Sequence, residues 1–393
     1  MAVQSPKKKW IMNAFAMFTP GHLSPGQWRH PEDRAGDYSD LDYWTDLAKI
    51  LEAGKFHGLF LADHLGIYDV YKGPGNSVPA LESGAQFPLG DPFLLISAMA
   101  AATKSLSFAV TASTTYENPA AKAFGFDEQI PHDQRYERAE EYLEVVYKIL
   151  EGSWKEDSRI MDAALGRYSA SDRVRAIEHS GKYFKIKATH QLHPSVQRTP
   201  FILQAGASSA GKNFASKHSE AMFLPGLEPH KVRKEADDIR GYAADETISA
   251  RLAAHGRPKS SLKLLAGVLV IVDETDEKAQ AKYQSYLQYA DLEGTAALFG
   301  GWTDHDLSKY GEDEDFKFTG SGAIQSMVNT WSATIPGGFE DMIKYLWPEL
   351  RKRGLFWDDY EKVGGSMRES YLGDEQGPKL REGHPGLAYK WVD

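Results

Sequence analysis

The stretch Phe201–Ala215, FILQAGASSAGKNFA, joins an apolar run ending at Gly206 to a loop of small residues and a helical continuation from Gly211. Such a loop turns free backbone N–H groups and the positive end of a helix dipole toward an anion, with the Ser208 and Ser209 hydroxyls as further donors. The same residues also suit a plain strand-to-helix turn capped by serine. The spacing nearly spells G-x-x-x-x-G-K-[ST], but Asn213 stands where that motif needs a magnesium-binding hydroxyl, which leaves a nucleotide-binding loop as a poor alternative. No G-x-G-x-x-G follows an early strand.

A second group is His132-Asp133-Gln134-Arg135-Tyr136. At a helix start, His132 and Tyr136 share one face and present an imidazole and a phenol to one ligand, or else His132 is a loop residue and Tyr136 packs in a core. Asp63 follows the apolar run GLFLA, and Thr111 and Ser113 end the next such run, where a barrel strand delivers side chains to its functional face. Each alone is also a common helix cap. His22, in the loop after the first strand, and Trp302 are candidate pocket residues, with His22 equally suited to a solvated loop. The histidines have no metal-ligand spacing and no G-x-S-x-G elbow occurs, so neither a metal centre nor a serine nucleophile is expected.

These residues need a frame, and the apolar pattern supplies one. Strands are predicted at Trp10–Met17, His57–Asp63, Ser105–Ser113, Phe201–Gly206, Glu220–Leu224 and Leu262–Val272. Between them lie helical patterns at Leu41–Lys55, at the Ala-rich run opened by Asp91 and Pro92, at Gln134–Ser153 with Asp133 as cap, at Gly211–Ser219 and near Pro229–Tyr242. Alternating units of this kind imply an α/β fold with a parallel sheet. Residues 152–199 read as an irregular insertion and residues 302–321 as a mobile acidic loop within a single domain spanning 1–393.

Composition sets the outer bounds. The 393 residues are 42% hydrophobic and 25% charged, typical of a globular protein with a large core. A net charge of −10 argues against nucleic-acid or anionic-membrane binding, so the expected partner is a small molecule. With no cysteine, disulfides and thiolate chemistry are excluded. The N-terminal apolar run IMNAFAMF is too short for a signal peptide, and the expected location is the cytoplasm.

Long stretches of the chain, among them GQWRHPED, YWTDLAKILEAGKFHGLFLAD, FAVTASTTYENP, FGFDEQIPHDQRYERAEEYLEVVYKILEGSW, ILQAGASSAGKNFASKHSEAMF, YLQYADLEGTAALFGGWTDHDLSKY and PELRKRGLF, resemble the bacterial-luciferase-like flavin-dependent monooxygenases. Within them the resemblance is to the nitrilotriacetate, EDTA and dibenzothiophene-sulfone monooxygenase group. It implies a TIM-like (β/α)8 barrel, a homo-oligomer (dimer or tetramer), and hydroxylation of a small organic substrate with O2, with breakage of a C–N or C–S bond. The cofactor implied is reduced FMN (FMNH2) supplied by a separate NAD(P)H:flavin reductase. Carried over by motif, Asp63 and Thr111 fall on the flavin rim, His132 and Tyr136 near the flavin phosphate, and Ser208 on the phosphate itself, with Ser209 beside it; no catalytic residue is assigned.

The chain departs from the family in two places. After YENP, Pro119–Lys122 runs almost directly into Ala123–Gly125, and after Thr330–Ser332 the family text resumes at Ile335–Gly337. These are the positions of family strands 4 and 8, so a barrel lacking both is expected. A non-catalytic flavin-binding protein is the alternative.

Overall fold

The structure, a computed structural model, describes residues 9–112, 118–206, 208–224, 230, 233, 248–310, 338–373, 375 and 377–391. The chain divides into two units, Met1–Gln129 with Val268–Ser370 and Ile130–Gly267 with Tyr371–Asp393.

In the first unit β1 (Asn13–Met17), β2 (Gly58–Ala62) and β3 (Ser107–Val110) form a parallel sheet, with Asn13 opposite Gly58 and Gly58 opposite Ser107. The central strand reads GLFLA and is buried along its first four residues, as a strand covered on both faces requires. Helix α1 (Leu41–Ala53) follows β1 and buries Tyr43, Trp44, Leu47, Ala48 and Leu51, one apolar stripe at helical spacing. They pack with Leu59, Leu61, Phe56, Met99 and Trp347 into one core. The Trp347 indole N–H, fully buried, donates to the Gly54 carbonyl at 2.7 Å, so the ring's one polar atom is satisfied. Two further helices are α2 (Val78–Ser83) and α3 (Phe93–Ala102). Asp91 caps α3 by accepting the Phe93 amide at 2.9 Å, as the Asp-Pro pair predicts, although Pro92 itself occupies the cap position. Glu52 of α1 then accepts the amides of Lys104, Ser105 and Leu106 at 2.7, 2.6 and 3.2 Å, which aims the chain into β3.

In the second unit the 21-residue helix α4 (His132–Gly152) is followed by two antiparallel hairpins, β4 (Arg159–Asp162) with β5 (Arg167–Ser169) and β6 (Ile177–Ser180) with β7 (Lys185–Ala188). The segment 152–199 is thus more regular than its composition predicts. Glu141 holds it to α4 by accepting the Tyr183 and Phe184 amides at 2.9 and 2.8 Å and bonding His179 at 3.0 Å. Buried Glu151 closes its far end on the Thr199 hydroxyl at 2.6 Å. Next come β8 (Leu203–Ala205), α5 (Ser209–His218), β9 (Ala221–Leu224), α6 (Ile248–Ala254) and β10 (Lys263–Ala266), the strands forming a parallel sheet in the order β10-β9-β8. Ala215, Met222, Leu224, Leu252 and Leu262 make its core. On α4, Ala139, Leu143 and Tyr147 face Phe214 of α5, and buried His218 bridges Glu140 at 2.9 Å and the Tyr147 hydroxyl at 3.0 Å.

Each of the six strands predicted as parallel is found, in two three-stranded sheets. Several are shorter than predicted. Leu262–Val272 is a strand only at Lys263–Ala266, the four residues that pair with β9; among the described residues no strand bonds the rest of the run, and a ladder needs a partner. Asp133 is not a cap: it lies inside the first turn of α4, whose cap position is Pro131, and its carboxylate bonds the His132 ring. Of the predicted acidic loop, Trp302 and Thr303 end the helix Leu292–Thr303 and residues 311–321 lie outside the described part. The Pro229–Tyr242 helix, Ser113, and the stretch 311–337 lie almost wholly or wholly outside it too.

Candidate functional site

The Gly206–Gly211 loop closes against Tyr136. A Cβ on Gly211 would lie 2.6 Å from the Gly206 carbonyl oxygen and 2.7 Å from the Tyr136 hydroxyl, and a Cβ on Gly206 would lie 2.7 Å from the same hydroxyl. Only residues without side chains let the phenol reach the strand-to-helix turn. Ser208 is the cap of α5, its Oγ accepting the Gly211 amide at 3.1 Å, so the capping alternative raised by the sequence holds. That bond uses a hydroxyl lone pair and leaves the O–H proton as a donor. Both Ser208 and Ser209 are exposed at the mouth of the turn. The first amides of a helix have no intrahelical partner, so those of Ser209 and Ala210 point outward with the helix dipole. Gln204, in the middle of β8, makes a long 3.5 Å contact from Nε2 to the Tyr136 hydroxyl, while its Oε1 is buried without a partner. A glycine turn, an outward helix start and exposed serine hydroxyls fit the phosphate end of a bound ligand.

His132 is exposed, with its ring centroid 5.2 Å from that of Tyr136 and Nδ1 2.8 Å from Asp133 Oδ1. The face shared by His132 and Tyr136 is therefore real, and Tyr136 also packs at 5.8 Å on Phe214, so the core alternative holds for one side of its ring.

In the first unit Asp63 follows β2 and is half-buried; burial, then the Asp91 carboxylate, push its pKa up to about 6. Thr111, just past β3, is exposed, and its amide donates to Leu61 at 3.1 Å, continuing the ladder by one bond. The same unit holds a polar network that the sequence did not reveal. Tyr68 donates to Gln86 Oε1 at 2.8 Å, Trp302 Nε1 donates to the Tyr68 hydroxyl at 2.7 Å, and Gln86 Nε2 donates to the His22 carbonyl at 2.7 Å. His64 stacks on Tyr68 at 4.7 Å with both ring nitrogens buried and no hydrogen bond of standard geometry, and burial lowers its pKa to about 4. His22 is not a solvated loop residue: it packs edge-on against Phe15 at 4.7 Å, and burial drives its pKa to about 3. Neutral imidazoles beside aromatic rings suit an apolar substrate. The partners are 18 to 234 residues apart, a separation at which no local spacing rule operates.

Among the described residues no group of His, Cys, Asp and Glu is arranged to hold a metal ion. Among them also, no helix is long and apolar enough to cross a membrane.

A family pattern, the luciferase-like monooxygenases, matches residues 121–319. The long-chain alkane monooxygenase of Geobacillus thermodenitrificans is 38% identical over 449 aligned positions, covering 98% of this chain and 98% of that one. The dimethyl-sulfide monooxygenase of Hyphomicrobium sulfonivorans is 35% identical, covering 98% and 94%. The solved structure of a long-chain alkane monooxygenase superposes with a TM-score of 0.87 at 37% identity over 98% of this chain and all of the other. A riboflavin lyase solved with modified FMN and riboflavin gives 0.83 at 26% identity over 98% of this chain and all of that one. The chain belongs to the bacterial-luciferase-like family of flavin-dependent monooxygenases and has its α/β fold.

Proposed function

We propose that this protein is the oxygenase component of a two-component system, taking FMNH2 from a separate NAD(P)H:flavin reductase and using O2 to hydroxylate a small organic substrate. The observation that carries this reading is the glycine turn closed on Tyr136, with Ser208 and Ser209 exposed at a helix start suited to an anion, in a chain of this family. Tyr136, His132, Ser208 and Ser209 are assigned to the flavin phosphate, and Asp63 and Thr111 to the flavin rim. When bound, reduced FMN supplies the electrons that activate O2. The protein's own task is to bind, orient and exclude water. The His22, His64, Tyr68, Gln86 and Trp302 cluster is assigned to substrate contact; its two imidazoles are uncharged near pH 7.

Hydroxylation beside nitrogen or sulfur makes an adduct that breaks the C–N or C–S bond, and the relatives' names add a sulfide and an alkane to the substrate classes worth testing. We assign the barrel reading with family strands 4 and 8 lacking on one support: the alignment with the alkane monooxygenase runs over 449 positions, 56 more than the 393 residues of this chain. That shortfall also favours the second reading, a flavin-binding protein without turnover.

Anaerobic titration with FMN and with FMNH2 tests the first step, and binding of neither sinks both readings. Oxygen consumption with FMNH2, measured with and without a long-chain alkane, dimethyl sulfide or nitrilotriacetate, separates them. Substrate-stimulated uptake marks the oxygenase, whereas tight flavin binding without it marks the binder. A cytoplasmic location and a homodimer or homotetramer complete the proposal.

A further inference from the structure

The cradle residues named by the family motif are neutral phenol and hydroxyl groups, with His132 tied to Asp133 at the rim. A flavin phosphate carries close to two negative charges at neutral pH. Helix-start amides and hydroxyls supply partial charge only, and a full positive charge at the same place adds to their pull on a phosphate. Arg251 of α6 stands there. Its guanidinium donates to the Ser209 hydroxyl at 3.1 Å and to the Ser209 carbonyl at 3.2 Å, across 42 residues of sequence. Two donors of a planar five-donor group are thereby set on the second serine of the turn, at the exposed mouth of the cradle.

Resting on the flavin reading above, we infer that Arg251 is a further phosphate-binding residue: the ion-pair partner that makes the site select FMN over the phosphate-free flavin, riboflavin. The Ser209 bond holds the guanidinium in place before the phosphomonoester arrives, which limits the ordering needed on binding.

The test compares the dissociation constants of FMN and riboflavin, by flavin fluorescence, for the wild-type chain, Arg251→Gln and Arg251→Lys. Arg251→Gln is expected to weaken FMN about 10- to 100-fold, the loss of a hydrogen bond to a charged group, and to leave riboflavin unchanged. Arg251→Lys, which keeps the charge but not the fork, is expected to retain part of the preference for FMN. In the wild type, FMN affinity falls with added salt and riboflavin affinity does not. An equal loss for both flavins, or no loss for FMN, overturns the inference while leaving the flavin reading standing. A wild-type chain that binds neither flavin overturns the flavin reading and this inference with it.

Discussion

Replacing Gly211 by alanine sets two effects of similar size against each other at the cradle. Gly211 lies in the first turn of α5, where alanine gains about 1 kcal/mol in helix propensity. Its new Cβ, however, would meet the Gly206 carbonyl at 2.6 Å and the Tyr136 hydroxyl at 2.7 Å. Both are about 0.7–0.8 Å inside an ordinary contact, and the first is backbone, which cannot rotate away; overpacking of that kind costs about 1–3 kcal/mol. The net loss of stability is therefore small, about 0–2 kcal/mol. The cradle itself must open by most of an ångström, which is enough to misalign the hydroxyls and amides around a phosphate. FMN affinity is expected to fall at least tenfold, about 1.4 kcal/mol, with a much smaller shift in melting temperature. Fluorescence titration of FMN beside a thermal melt measures both quantities. Wild-type FMN affinity in Gly211→Ala would refute the placement of the phosphate against this turn.

Tyr136→Phe removes the hydroxyl at the centre of the same cradle and is expected to weaken FMN about 5- to 30-fold while lowering stability little, read by the same titration. Asp63 has its folded pKa raised to about 6, so its contribution to stability is present in acid, below the ordinary carboxylate range, and is lost as the pH rises through 6. Discounted for its partial exposure, this amounts to about 1 kcal/mol; melting curves of wild type and Asp63→Asn from pH 4 to 8 are expected to diverge in favour of the variant as the pH rises. Glu140 behaves in the opposite sense. Burial alone would raise its pKa, but bonds from His218 and Lys217 outweigh that and hold it near 2, so its stabilisation is present above pH 4.5 and lost toward pH 2. Glu140→Gln is expected to lower the melting temperature at pH 7 and to flatten the acid limb of the profile. Tyr68→Phe removes the acceptor of the 2.7 Å bond from Trp302 Nε1 and should cost about 1–2 kcal/mol in urea denaturation; loss of substrate-stimulated oxygen uptake at unchanged FMN affinity would place Tyr68 in the substrate pocket.

Local chemistry carried a large share of this protein. The alternation of apolar runs and helical stripes located six parallel strands, because a strand buried on both faces must be apolar throughout and a packed helix must repeat its apolar residues at helical spacing. The serine-glycine turn of 206–211 was legible for the same reason: a helix start needs a cap, and a close approach needs glycine. What the sequence could not determine were relations between distant residues. The glycine turn is a cradle only because Tyr136 reaches it from α4, and it gains a cation only because α6 carries Arg251 to Ser209. His22 reads as a loop residue until Phe15 covers it, and the run after Ala266 reads as strand although a ladder needs a partner strand to bond. Burial, hydrogen-bond partners and shifted proton affinities arise from groups far apart in the chain, and only tertiary structure decides which of them meet.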